Sequence, residues 1–154
     1  MDAVQAYVQS DLNCEHPTYI EIPKFLCPEA WRSMRRPVVQ LKKALYGHPE
    51  AGGHWERHLE KIIKALGGKA IKDHPSCFWF PKPKELFLIV YVDDLLLSGP
   101  AHLHEEFWKE LGARVNIEPA EDLDRYLGRH HTFDEIHRLD YDLMEYFVSD
   151  VDLK

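Results

Sequence analysis

Leu86-Phe87-Leu88-Ile89-Val90-Tyr91-Val92-Asp93-Asp94-Leu95-Leu96-Leu97-Ser98 is the stretch on which the reading of this 154-residue chain turns. Two adjacent carboxylates break an otherwise apolar run. An ionised carboxylate buried among apolar groups is destabilising by several kcal/mol unless it is paired, protonated or bound to a cation, so the pair is expected at a turn. The β-favouring and apolar residues on either side read as two short strands, with Asp93 and Asp94 at the bend of a hairpin. Neighbouring strand residues point to opposite faces, but a tight turn can bring adjacent carboxylates toward one point. A divalent metal with hard oxygen ligands would neutralise them there.

Outward from this hairpin, Cys77-Phe78-Trp79-Phe80 followed by the turn Pro81-Lys82-Pro83-Lys84 predicts a preceding strand. Upstream, Ala51, Trp55, Leu59, Ile62, Ile63 and Leu66 recur at spacings of three and four, which predicts a helix from about Pro49 to Leu66, stopped by Gly67-Gly68. Gly52 and Gly53 weaken its first turn. They mark either a frayed end or a place where something bulky approaches the backbone. Tyr19 to Ile22 and Val38 to Leu41 are short strand candidates, separated by an irregular basic segment. Residues 3–8 are open between strand and helix. Downstream, Pro100 opens a helix carrying Leu103, Phe107 and Leu111, ended by Gly112. Val115 to Ile117 and Tyr126 to His131 read as strands, and Leu139 to Leu153 as a terminal helix. Mixed helices and hairpin-joined strands predict an α+β fold, an antiparallel sheet with helices packed on one face.

The length suits one domain, and no apolar run is long enough for a membrane helix. An intracellular protein without a membrane partner is therefore expected. Cys14, Cys27 and Cys77 are odd in number and lack a Cys-x-x-Cys, which fits reduced thiols. The net charge of −7 argues at first against nucleic acid. Its distribution reverses that argument, because residues 24–72 hold eleven Lys and Arg against four acids. Arg32, Arg35, Arg36, Lys42 and Lys43 fall in that segment and are candidate phosphate contacts. Among ten histidines, His54 and His58 lie one helical turn apart and are a conceivable zinc pair. Glu56 follows His54 by two positions rather than one, so the His-Glu-x-x-His pattern is not met.

Tyr91-Val92-Asp93-Asp94 resembles the Tyr-x-Asp-Asp motif of reverse transcriptases, and further motifs follow in the order of the copia-type retrotransposon enzymes. Asp2-Ala3-Val4-Gln5-Ala6-Tyr7 is similar to the segment carrying that family's first catalytic aspartate. Leu41-Lys42-Lys43-Ala44-Leu45-Tyr46-Gly47 matches its Leu-Lys-Lys-Ser/Ala-Leu-Tyr-Gly segment. Asp73 to Phe78 resembles the segment before the active-site hairpin, and Asp122 to Gly128 a later region. The resemblance implies an RNA-directed DNA polymerase of the Pol polyprotein with a palm-like core at 1–132, while the helical pattern of the acidic segment at 133–154 predicts that it docks on or trails that core. It further implies that Asp2, Asp93 and Asp94 are catalytic and hold two Mg²⁺ or Mn²⁺ ions. Ala3, Tyr7, Glu50 and Tyr91 would face the nucleotide, with Tyr7 beneath the sugar. RNA or DNA template-primer and dNTPs would be substrates. The remaining polyprotein domains, fingers, thumb and ribonuclease H, would be partners in a cytoplasmic, nuclear or virus-like-particle setting.

The departures from the family pattern are also specific. Glu50 stands where a neutral glutamine is usual, and Gly52-Gly53 replaces Pro-Arg. Only Met1 precedes Asp2, so the fingers are expected to be truncated. The alternative reading is a catalytically inactive transposon remnant or a domesticated module that binds nucleic acid or protein.

Overall fold

The computed structural model describes residues 1–123, 125–127 and 129–130, so the terminal helix expected over 139–153 lies outside the described residues. The fold is α+β with antiparallel sheets. The chain divides into two compact units, one of Met1–Gln5 with the described residues from Leu59 onward, the other of Ala6–His58.

The first unit is built on four strands, β3 (Lys69–Ile71), β4 (His74–Phe80), β5 (Leu86–Tyr91) and β6 (Asp94–Ser98), adjacent in that order and all antiparallel. The register sets Phe78 opposite Leu88, Phe80 opposite Leu86 and Val90 opposite Leu95. Directly paired residues share a face, so Phe78, Phe80, Leu86, Leu88 and Leu95 form one apolar surface, and all five are buried. Helix α3 (His104–Gly112) reaches this surface through Phe107, whose ring meets Phe80 edge-on at 4.9 Å. Phe107 and Leu111, one turn apart, are the two buried residues of α3, as the four-residue spacing predicts. On the other face Ile71 and Trp79 pack with Cys77 and Phe87 in a smaller cluster.

Helix α2 (Ala51–Ala65) is shorter than the sequence pattern suggests, because Pro49 and Glu50 lie in the preceding turn. Its buried stripe is Ala51, Trp55, Leu59 and Ile63. The C-terminus closes with two backbone bonds, Gly67 N–H to the Lys64 carbonyl and Gly68 N–H to the Ile63 carbonyl, both 3.0 Å. That closure needs a left-handed residue, and Gly67 supplies it at φ +97°. Gly68 is required for a different reason. A Cβ there would lie 2.6 Å from Ile63 Cγ2 and 2.9 Å from Phe80 Cζ. At the other end, a Cβ on Gly52 would meet nothing within 4 Å and one on Gly53 only the flexible tip of Arg57. Among the described residues nothing bulky approaches the backbone at either glycine.

Two strand expectations change. Of Val115 to Ile117 only Ile117 pairs, in an isolated bridge with Ala3. Tyr126 to His131 is not one strand; β7 (Arg125–Tyr126) and β8 (Arg129–His130) form a hairpin that reverses at Leu127, where φ is +48°.

In the second unit α1 (Ala6–Gln9) resolves the ambiguity at the start of the chain in favour of a single helical turn. The buried Ser10 hydroxyl donates to the Tyr7 carbonyl at 2.8 Å and closes that turn. Strands β1 (Tyr19–Glu21) and β2 (Val38–Gln40) pair antiparallel. Between them lie two single-turn 3-10 helices, Lys24–Leu26 and Glu29–Trp31, each preceded by a proline.

Candidate active site

Met1 to Val4 is an extended segment held on both sides. On one side Leu95 N–H donates to the Met1 carbonyl and Ala3 N–H to the Asp93 carbonyl, each at 2.8 Å. On the other side Glu118 N–H donates to the Asp2 carbonyl and Val4 N–H to the Asn116 carbonyl, each at 2.9 Å. Asp2 and Asp94 are thereby direct antiparallel partners, and their side chains emerge on the same face. Asp93 occupies the two-residue turn between β5 and β6, and Asp94 is the first residue of β6, paired with Tyr91. The three carboxylates predicted from the sequence are therefore neighbours, brought together by one hairpin and one extended segment.

The turn itself is strained. Val92 has φ +58°, a left-handed conformation that a β-branched residue rarely adopts. Such a residue costs about 1–3 kcal/mol and persists only where its surroundings enforce it. Here the Ala3-to-Asp93 backbone bond fixes the far side of the turn, and the β5–β6 ladder fixes the near side.

Burial raises the Asp94 carboxyl above its ordinary range, and a hydrogen bond with Asp2 and the charges of Asp2 and Asp93 push it the same way. The neighbouring acids thus favour the protonated form of Asp94. Tyr126 belongs to the same neighbourhood. Its hydroxyl is buried without a hydrogen-bond partner among the described residues, and burial, then Asp94 and Cys77, push its ionisation upward. The sequence places Tyr126 in a strand and within the family-like Asp122-to-Gly128 segment, but no local signal links it to the acidic hairpin. Tyr91 is exposed beside the pair and Ala3 is buried.

The other predicted site residues belong to the unit of residues 6–58. Tyr7 lies ring to ring with Tyr46, centroids 4.4 Å apart. The segments bearing these rings run side by side, with Leu12 N–H donating to the Lys42 carbonyl at 2.9 Å and Ala44 N–H to the Ser10 carbonyl at 3.1 Å. Glu50 is exposed, and its carboxyl is held below the ordinary range first by a hydrogen bond from the Cys14 thiol and then by His48, His54 and Arg57. Among the candidate phosphate contacts, all exposed, Arg36 pairs with Glu21 at 2.7 Å and Lys43 with Asp11 at 2.7 Å, while Lys42 donates to Gln40 at 2.9 Å. Exposed pairs of this kind contribute little to stability, so a phosphate can compete for them.

Over residues 1–153 the sequence matches the family described as reverse transcriptase (RNA-dependent DNA polymerase). The chain belongs to this family. Its relatives are Pol proteins of retrotransposons of the Ty1/copia type. It is 32% identical over 94 residues to the retrovirus-related Pol polyprotein from transposon RE1 of Arabidopsis thaliana, covering 59% of this chain and 6% of that one. It is 26% identical over 132 residues to the putative transposon Ty5-1 protein of Saccharomyces cerevisiae, covering 83% of this chain and 41% of that protein. A truncated transposon Ty1-A Gag-Pol polyprotein of the same yeast is 27% identical over 118 residues, covering 76% of this chain and 8% of that polyprotein. The reverse transcriptase chain thus spans less than half the length of these relatives. No solved structure matches it. Among its described residues no helix is long and apolar enough to cross a membrane.

Proposed function

We propose that this reverse transcriptase chain carries the palm of an RNA-directed DNA polymerase acting inside the cell, with Asp2, Asp93 and Asp94 as its catalytic carboxylates. The observation that carries the reading is the direct pairing of Asp2 with Asp94 beside the Asp93 turn. The β3–β6 sheet, backed on one face by α3, is the palm-like part. The core is assigned to residues 1–132.

The donor set fits Mg²⁺ or Mn²⁺. It consists of carboxylate oxygens alone, and their crowding leaves negative charge that a hard cation would compensate. Asp2 and Asp93 would bind two such ions directly, Asp94 would complete the set, and the Ala3 carbonyl could assist. When bound, the ions supply Lewis acidity that eases deprotonation of a primer 3′-hydroxyl and offsets charge on the triphosphate. The residues do the positioning. The strained Val92 turn presents Asp93 at the tip of the hairpin, and the two-sided pairing of Met1 to Val4 keeps Asp2 opposite Asp94. Tyr91 and Tyr7 are assigned to the nucleotide, with the Tyr7 ring beneath the sugar where a 2′-hydroxyl would clash. Glu50 stands in the family's nucleotide-proximal segment, and Arg32, Arg35, Arg36, Lys42 and Lys43 are assigned to template-primer phosphates. The other Pol domains would complete the grip on substrate.

Primer extension on an RNA template with dNTPs, in Mg²⁺ and then Mn²⁺, tests the reading. Extension by the chain that the Asp93→Asn/Asp94→Asn variant lacks is the expected result. Folded protein that binds template-primer but extends nothing in either metal would point to the non-catalytic alternative.

A further inference from the structure

Away from the acidic hairpin, the unit of residues 6–58 contains a second group of potential ligands. Cys14, Glu50 and His54 each offer one donor atom, and the three atoms lie within 4.8 Å of one another. Cys14 belongs to the loop after α1, Glu50 precedes α2 and His54 lies in its first turn. The Cys14 Sγ is 3.6 Å from His54 Nε2. In a tetrahedral zinc site, bonds of about 2.3 Å to sulfur and about 2.0 Å to nitrogen place those two atoms about 3.5 Å apart. The pair is therefore already at the spacing that a shared zinc ion would impose. The Glu50 carboxylate, exposed on a flexible stem, closes the third corner.

We propose that Cys14, Glu50 and His54 form a zinc site distinct from the carboxylate trio, with its fourth position open to water. The chemistry of the set favours this ion. A thiolate and an imidazole suit zinc, whereas Mg²⁺ seeks oxygen ligands and finds only one here. In the metal-free chain the Cys14 thiol donates to Glu50, an interaction that raises the thiol and lowers the carboxyl. Loading breaks the S–H bond, forms a zinc–sulfur bond and releases one proton to solvent, while the Glu50 oxygen exchanges the thiol hydrogen for the ion. Thiolate and carboxylate together balance the dication, and among the described residues His48 and Arg57 are further charged or titratable groups near the cluster. The bound ion would tie the loop of Cys14 to the start of α2. Glu50 and Cys14 are 36 positions apart by their numbers, so no sequence spacing announces the site. His54 meets Cys14, while the ring of His58 lies 6.0 Å from that of Trp55.

Cobalt and zinc titrations of the whole chain test this proposal, with excess Mg²⁺ present to occupy the carboxylate trio. One equivalent of Co²⁺ should produce a sulfur-to-cobalt charge-transfer band and tetrahedral d–d bands, both removed by Zn²⁺. Cys14→Ser should abolish the charge-transfer band. Removing an outer partner of a metal site typically costs roughly 10- to 100-fold in affinity, so His54→Ala, which removes a ligand, should weaken Zn²⁺ binding by more than about 100-fold. Glu50→Gln, at an exposed position where folding is not at risk, should weaken it by at least about 10-fold. Asp93→Asn/Asp94→Asn should leave the cobalt spectrum unchanged. Absence of the band, its persistence in Cys14→Ser, or unchanged zinc affinity in Glu50→Gln would each overturn the assignment.

Discussion

The chain places carboxylates in two clusters whose electrostatics run in opposite directions. At the hairpin, Asp94 is pushed up by burial and by the acids Asp2 and Asp93. In the unit of residues 6–58, Glu50 is pulled down by a thiol donor and by His48, His54 and Arg57. The contrast separates two uses of the same functional group. Like charges beside a strained turn raise the Asp94 carboxyl. A carboxylate surrounded by donors is already stable and offers a mixed ligand set instead.

The supports of the two clusters should differ most. Leu88 lies fully buried within β5 of the hairpin, and Leu88→Ala is expected to cost about 2–5 kcal/mol in urea unfolding. Cys14 is only half-buried, and Cys14→Ala should cost less than about 1 kcal/mol, because little apolar surface is lost. Equal losses would break the distinction between a packed platform and a surface cluster.

Divalent-ion binding is the next largest effect. Asp93→Asn/Asp94→Asn should weaken Mn²⁺ binding, followed by electron paramagnetic resonance, by about 100-fold, equivalent to about 2.7 kcal/mol. Unchanged Mn²⁺ affinity would remove the trio as a metal site.

A smaller effect of opposite sign is expected in the absence of metal. Because the folded state raises Asp94, its contribution to stability is present below the ordinary value of 3.8 and is lost as pH rises through the folded value. Asp94→Asn should therefore stabilise the metal-free chain at neutral pH by up to about 1 kcal/mol, the scale of partly exposed charge pairs, and should give no gain near pH 3. Thermal melts at the two pH values, with and without Mn²⁺, make the comparison. A variant less stable than the parent at neutral pH without metal would contradict the crowding of charge at the hairpin.

Glu50 behaves in the reverse sense. Its stabilising contribution is present above the ordinary value of 4.5 and is lost as pH falls through the lowered folded value. In Cys14→Ala the carboxyl should titrate closer to 4.5, as followed by carboxyl-carbon NMR. No movement would show that Cys14 is not its main partner.

The hairpin was legible in the sequence because both of its signals are local. An apolar run broken by two acids has few placements other than a turn, and the family motifs lie in contiguous stretches. The same holds for α2 and α3, whose buried residues follow a helical period. Local pattern was less informative where a segment has too few residues to display a period. Residues 3–8 became one helical turn after an extended segment, and the stretch from Tyr126 reversed into a hairpin.

Residue order alone thus determined the α+β class and the acidic bend, and its resemblance to the family singled out Asp2, Asp93 and Asp94 as candidates. Tertiary structure decided which atoms meet. It set Asp2 directly opposite Asp94, brought Tyr126 beside them, committed Arg36 to Glu21, and gathered Cys14, Glu50 and His54. The physical reason is range. Periodicity and turn chemistry act over a few residues, whereas charge crowding and ligand spacing arise only once the backbone has closed distant segments on one another.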